Sequence, residues 1–222
     1  METKIRFNSA LWANRMYAIL IGGAGGIGSW LAFFLARTNS HILHVVDPDI
    51  VSEVNLGGQF YGKKDINKTK LSALENNINI LNTPPALFFG FNKRIEEVEG
   101  IEEFEYVFSG FDNMDARRHL FNRWKSNPDR KLFVDARLLA EQYEVFFVQK
   151  GMEEKYEATL FDQSESFEAA CTFKSTTHWA AMCAARMVHG FNAFLANEHH
   201  PDTYELPFHH LEIGITWQTN VL

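Results

Sequence analysis

Cysteine is scarce in this chain: Cys171 and Cys183 are the only two among 222 residues. Two thiols at that spacing fit neither a disulfide framework nor the paired ligands of a structural zinc site, so reduced thiols are expected. No run of about 18 apolar residues is present to span a membrane. The N-terminal stretch also lacks the basic-then-apolar order of a secretion signal, so the expected location is cytoplasmic. Positive charge is short as well. Lys and Arg total 21 against 28 Asp and Glu, a net charge of -7, and non-specific nucleic-acid affinity needs cations that neutralise phosphates. Nucleic acid and membrane are therefore set aside as partners. Internal repeats and low-complexity linkers are absent, so residues 1–222 read as one domain.

What remains is ordinary globular material, 46% hydrophobic and 22% charged, with 20 phenylalanines spread along the chain at positions that suit core packing. Residues 17–22 form a short apolar run ending in glycines, the pattern of a strand buried on both faces. Residues 29–37 read as a helix and 41–46 as a second strand, which makes a βαβ unit. The spacing of Leu71, Leu74, Ile78 and Leu81 predicts a helix over 67–81. Further strands are expected at 86–91, 106–109, 132–135 and 143–149, with helices at 115–125 and 179–197. Alternation of this kind predicts an α/β fold: a doubly wound, mainly parallel Rossmann-like sheet with helices on both faces. Residues 151–170 turn acidic and poor in aliphatics, which suggests an exposed crossover loop reaching to about 175. Residues 205–222 suit either a strand or an extended tail.

Chemistry concentrates after the first strand. Gly23, Gly25 and Gly28 form a Gly-x-Gly-x-x-Gly turn, with Gly26 inside it, opening the first helix. Glycines let backbone approach a phosphate there, and the helix N-terminus supplies free amides and partial positive charge. Asp47 closes the second strand, where an acid commonly accepts from a ribose hydroxyl. These features alone suit a nicotinamide cofactor or ATP. Beyond them come Asp49, Val51, Asn55, Leu56, Gln59 and Lys70, and then Gly110, Phe111, Asp112, Asn113 and Arg117 at the end of another strand. Strand C-terminal ends converge on the ligand crevice of an open parallel sheet, so Asp47, Asp112 and the glycine turn should line one cleft. In such a cleft a Lys can neutralise phosphate and an Asp can hold Mg²⁺.

This ordered set of motifs, over roughly residues 17–137, resembles the ThiF/MoeB/E1-like superfamily of ubiquitin-activating-type adenylyltransferases. The resemblance implies that Asp47 holds the ATP ribose, that Asn55 and Gln59 sit near the phosphates, that Lys70 contacts them, and that Asp112 coordinates Mg²⁺. Arg117 matches the Arg that follows the family's Asp-Asn pair. It further implies ATP-dependent adenylylation of a carboxylate, that of a small ubiquitin-like (ThiS/MoaD-like) protein or of a small molecule, by a homodimer. Catalytic roles fall on Lys70 and Asp112. Cys171 follows the acidic loop where relatives carry an acyl-accepting thiol; it reads equally as that nucleophile or as a small packing residue at a helix start. Cys183, inside an apolar helix, reads as core.

The sequence also departs from the family. Gly58 stands where relatives carry an Arg in the Asn-Leu-x-Arg-Gln string, and Asn67 stands where a Gly precedes the catalytic Lys. The Arg that reaches into the neighbouring subunit's site has only Arg6 and Arg15 as candidates. The adjacent pairs His199/His200 and His209/His210 read as exposed polar residues of the C-terminal part rather than metal ligands, because neighbours on a helix or strand point apart. Gly58 keeps open a non-catalytic nucleotide-binding scaffold subunit. An NAD(P)-dependent oxidoreductase shares only the glycine turn and Asp47.

Overall fold

The computed structural model describes residues 15–38, 41–81, 85–139, 141–162, 177–201, 203–214 and 218–221. Its strands are β1 (Ala18–Gly22), β2 (Ile42–Val46), β3 (Leu87–Phe91), β4 (Tyr106–Ser109), β5 (Leu132–Leu139), β6 (Gln142–Gln149), β7 (His209–Ile213) and β8 (Gln218–Val221). Its helices are α1 (Gly26–Thr38), α2 (Lys70–Leu81), α3 (Met114–Ser126), α4 (Glu153–Glu157) and α5 (Thr177–His199). The strands form one sheet in the order β3-β2-β1-β4-β5-β6-β7-β8. The first five run parallel, and β6, β7 and β8 extend the sheet antiparallel.

Both faces of the sheet are buried at its central strands, which is why β1 is apolar at consecutive positions rather than alternate ones. Ile19 and Ile21 join a core with Leu31 and Leu35 of α1, Leu71, Leu74 and Ile78 of α2, and Met187 and Phe191 of α5. Leu20 points the other way, into a core with Leu120, Phe121 and Trp124 of α3 and with Tyr156. Phe108, Phe121, Phe133, Phe147 and Phe191 are fully buried, which accounts for much of the phenylalanine content. Cys183 is buried in α5 and its thiol is pushed well up from the ordinary range by burial.

Three expectations need correction. The acidic segment after 150 is not all exposed loop: α4 turns Glu153 and Tyr156 inward. Glu153 is buried because Arg130 and the Gly151 amide hold its carboxylate, and this keeps its pKa low despite desolvation. The stretch 132–135 continues to Leu139, because β6 folds back as a hairpin and pairs it from Leu132↔Gln149 to Leu139↔Gln142. His209 and His210 belong to β7 rather than to an exposed tail, and strand alternation sends them to opposite faces. His209 stacks on Phe146 at 4.4 Å between centroids, and His210 is 2% exposed. Among the described residues, no helix is long and apolar enough to cross a membrane.

Candidate functional site

The parallel register aligns the ends of β1, β2 and β4 with Asp135 inside β5. Gly22 sits beside Val46 of β2 and Ser109 of β4, and Ser109 sits beside Asp135 of β5. Whatever follows those residues is therefore delivered to one rim. The glycine turn is stitched to it through Gly23 N donating to the Val46 carbonyl (2.8 Å) and Gly110 N donating to the Gly22 carbonyl (2.8 Å).

Each glycine in the turn has its own reason. Gly23 adopts φ 89°, in the left-handed region that favours glycine. A Cβ on Gly28 would lie 1.8 Å from the Gly23 carbonyl oxygen, so the helix start cannot approach the turn with any side chain there. Gly25 and Gly26 are different: a Cβ on either would meet nothing within 4 Å. Open space lies over them, at the N-terminus of α1. The Gly25 carbonyl accepts from Ser29 N at 3.1 Å, so the amides of Gly26, Ile27 and Gly28 precede the first intrahelical bond.

Asp47 lies under this turn, 5% exposed. Its Oδ2 accepts from Ala24 N at 2.7 Å and its Oδ1 from Asp49 N at 2.9 Å. Lys70 reaches the same place because residues 49–51 run antiparallel to 67–70: Val51 N donates to the Lys68 carbonyl, Asn67 N to the Val51 carbonyl and Lys70 N to the Asp49 carbonyl. Its ammonium lies 2.7 Å from Asp49 Oδ2 and 3.6 Å from Asp47 Oδ2. The Lys70 side chain is 7% exposed, far from the solvated surface lysine that composition alone suggests, whereas the Asp49 carboxylate is 60% exposed. The bend that turns the chain into α2 passes through Asn67 at φ 67°. Asn is one of the few side-chain-bearing residues that tolerates this conformation, so it can stand in place of the family's glycine.

The remaining residues divide. Asp112 is exposed on the same rim, two residues past Gly110. Asn113 caps α3, its side chain accepting from Asp115 N (2.8 Å) and Ala116 N (3.0 Å). Arg117 is buried and points inward: Nε donates to Asp135 Oδ1 at 2.7 Å, and Nη2 donates to the Phe111 and Ala136 carbonyls. It ties the ends of β4 and β5 to α3. The Asn55 side chain accepts locally from Ser52 N at 2.8 Å and Ser52 Oγ at 3.0 Å. Gln59 has a buried Oε1 without a hydrogen-bond partner among the described residues. It lines a cavity of about 610 Å³ between Trp30, Phe60, Asn77, Ile80 and Thr177. At the Arg position, Gly58 offers only its carbonyl, which accepts from Trp30 Nε1 at 3.2 Å. Arg15 lies before β1, at the end of the sheet remote from the turn. Arg6 and Cys171 lie outside the described residues.

One residue escaped sequence reading. Tyr61 is 7% exposed and donates its hydroxyl to the Ala24 carbonyl at 2.7 Å. The available signal was a Tyr directly after the Gln59-Phe60 pair, since a buried tyrosine hydroxyl needs a partner. Among the described residues, no group of three or more His, Cys, Asp or Glu side chains could hold a metal ion. A lone exposed carboxylate such as Asp112 suits Mg²⁺ that arrives with a phosphate ligand, because that ion keeps waters and takes only one or two carboxylates from protein.

Fold and rim together place the protein in the Rossmann-type α/β class, with a buried acid–lysine cluster beneath the glycine turn. The ThiF family profile matches residues 12–213, and the chain belongs to the ThiF family. It is 27% identical over 178 residues to the SUMO-activating enzyme subunit uba-2 of Caenorhabditis elegans, covering 78% of this chain and 30% of that protein. It is 32% identical over 104 residues to a protein named "Probable molybdopterin-synthase adenylyltransferase" from Porphyra purpurea, covering 45% of this chain and 27% of that one. Its fold matches the crystal structure of E. coli MccB with a TM-score of 0.71 at 14% identity, covering 93% of this chain and 62% of that chain. The chain thus spans about a third or less of these curated relatives.

Proposed function

We propose that this protein binds ATP over the turn at Gly25 and Gly26 and uses it to adenylylate a carboxylate. The first-choice substrate is the C-terminus of a small ubiquitin-like, ThiS/MoaD-like protein; a peptide or small-molecule carboxylate comes second. The observation that carries the reading is the convergence of Asp47, Asp49 and Lys70 on the underside of a glycine turn whose upper side is open. E. coli MccB, whose fold this chain shares, has been crystallised with ATP.

In this reading the α1 amides face phosphate oxygens, and the Asp47/Asp49 pair addresses the ribose through the exposed Asp49 carboxylate. Lys70 carries three donors, so pairing with Asp49 leaves at least one for a phosphate oxygen. Asp112 would hold Mg²⁺, which offsets charge on the phosphates when bound. The carboxylate is already ionised at neutral pH and needs no general base. Its oxygen attacks the α-phosphorus, pyrophosphate leaves, and an acyl adenylate results. Lys70 and the α1 N-terminus then stabilise charge that grows on the leaving phosphates. Transfer of the acyl group to the Cys171 thiolate, with release of AMP, is a proposed second step. A homodimer, with Arg6 or Arg15 entering the partner's site, completes the proposal.

Gly58 favours a second reading, a non-catalytic nucleotide-binding scaffold, since it leaves one phosphate contact unmade. ATP–pyrophosphate exchange with Gly-Gly-tailed acceptors separates the two. Catalysis predicts exchange that falls about a hundredfold or more in Lys70→Ala and Asp112→Ala. ATP binding with no exchange for any acceptor supports the scaffold. A thioester adduct that reductant removes and Cys171→Ala abolishes tests the second step; an adduct persisting in the variant rejects it.

A further inference from the structure

Among the described residues, Ala24 is the one residue of the glycine turn whose backbone polar groups are both held by side chains from elsewhere in the chain. Its N–H donates to Asp47, at the end of β2, and its carbonyl accepts from Tyr61, which lies fourteen residues further on. Ala24 is itself fully buried. Two more bonds run the same way: Phe60 N donates to Ser29 Oγ at 3.0 Å, and Trp30 Nε1 donates to the Gly58 carbonyl. The segment 58–61 is therefore fastened to the turn and to the first residues of α1, and only Tyr61 touches the turn itself. Burial, with Asp47 nearby, drives the Tyr61 hydroxyl far above its ordinary pKa, so it remains a donor.

We infer that Tyr61 is a positioning residue for nucleotide binding: by holding the Ala24 carbonyl it fixes the plane of the Ala24–Gly25 peptide, and with it the direction of the Gly25 amide that leads into α1. The inference rests on the proposed ATP site. The two bonds hold successive peptides, Gly23–Ala24 through its N–H and Ala24–Gly25 through its C=O, and neither plane can rotate without breaking its bond, so the turn keeps its binding shape before any ligand arrives. Binding then pays no ordering cost. Removing the hydroxyl leaves a buried carbonyl unsatisfied, and the turn is free to rotate it toward another donor. Nucleotide must then restore the original arrangement.

The test compares Tyr61→Phe with Tyr106→Phe, which removes another mostly buried hydroxyl, bonded to Glu198 at 3.1 Å and remote from the turn. Direct titration with ATP–Mg²⁺ should show Kd raised about tenfold in Tyr61→Phe and unchanged in Tyr106→Phe, and KM for ATP should rise with kcat at saturation retained. A Kd within twofold of wild type, with only a lowered Tm in both variants, makes Tyr61 merely structural and overturns the inference. Wild-type protein that binds no ATP overturns the nucleotide reading itself, and this inference with it. Amide hydrogen exchange of wild-type Gly23 and Ala24 without nucleotide is an independent check: their N–H groups are bonded to the Val46 carbonyl and to Asp47, so protection is expected, and free exchange would show that the turn is not held.

Discussion

The glycine turn makes a prediction that separates folding from binding. Gly26→Ala adds a methyl where nothing lies within 4 Å, at a residue whose φ is not in the left-handed region, so the fold has no reason to resist it. Gly26 begins α1, and a compatible Gly→Ala change stabilises by about 0.4–1 kcal/mol through the unfolded chain. For a chain of this size that raises Tm by roughly 1–4 °C. The same methyl occupies the space through which a phosphate would reach the helix amides. Losing one charge-assisted hydrogen bond costs roughly 1.5–3 kcal/mol, about ten- to 150-fold in Kd. At a ligand concentration of about 100 Kd, ATP adds ~2.7 kcal/mol to wild-type stability, and in the variant about 1.4 kcal/mol or less. Thermal melts with and without ATP–Mg²⁺ measure both effects. The reasoning is refuted if Gly26→Ala keeps the full ATP-induced shift, or if it melts well below wild type without ligand.

Other outcomes follow from the same geometry. Gly28→Ala, whose Cβ would meet the Gly23 oxygen at 1.8 Å, should lose roughly 1–3 kcal/mol of stability by urea titration, the range for overpacking, whereas an unchanged midpoint contradicts the close approach. Arg117→Met leaves buried Asp135 with Arg137 alone and should cost about 3–5 kcal/mol, again by urea titration; a loss under 1 kcal/mol would mean the pair does not hold the rim. His41 is buried, neither ring nitrogen has a hydrogen-bond partner among the described residues, and burial pulls its pKa down to about 4. The unfolded chain takes up that proton near pH 6.5 and the folded chain only near 4, so stability is lost as pH falls through this window. The loss is about 2 kcal/mol between pH 7.5 and 5. In His41→Phe the pH dependence should be shallower by that amount, and parallel curves for the two proteins would rule the effect out.

Much of the parallel half of the fold was legible because its signals are local. The apolar run at 17–22, the glycines after it and the one-faced spacing of Leu71, Leu74 and Ile78 each specify an element without help from distant residues. The antiparallel half was less legible. β5 continues to Leu139 only because β6 returns to pair with it, and pairing is a tertiary fact. α4 is five residues long and depends on Tyr156 entering a core built by α3 and β5. At the site, residue types announced an acid at 47 and a cation at 70. Their mutual distance required the antiparallel approach of 49–51 and 67–70. The resemblance sets Arg117 after Asp112 and Asn113, but its partners, Asp135 and two carbonyls, depend on how α3 packs against β5, which the residue's position in sequence does not show.

The central claim, that a carboxylate attacks the α-phosphorus of ATP on this protein, is tested most directly by isotope transfer. A Gly-Gly-tailed acceptor labelled with ¹⁸O in its terminal carboxylate is incubated with the protein, ATP and Mg²⁺, the acyl adenylate is discharged with hydroxylamine, and AMP is analysed by mass spectrometry. The account predicts AMP carrying ¹⁸O together with pyrophosphate, and neither product in Lys70→Ala. Unlabelled AMP, or ADP with phosphate as the products, would contradict it.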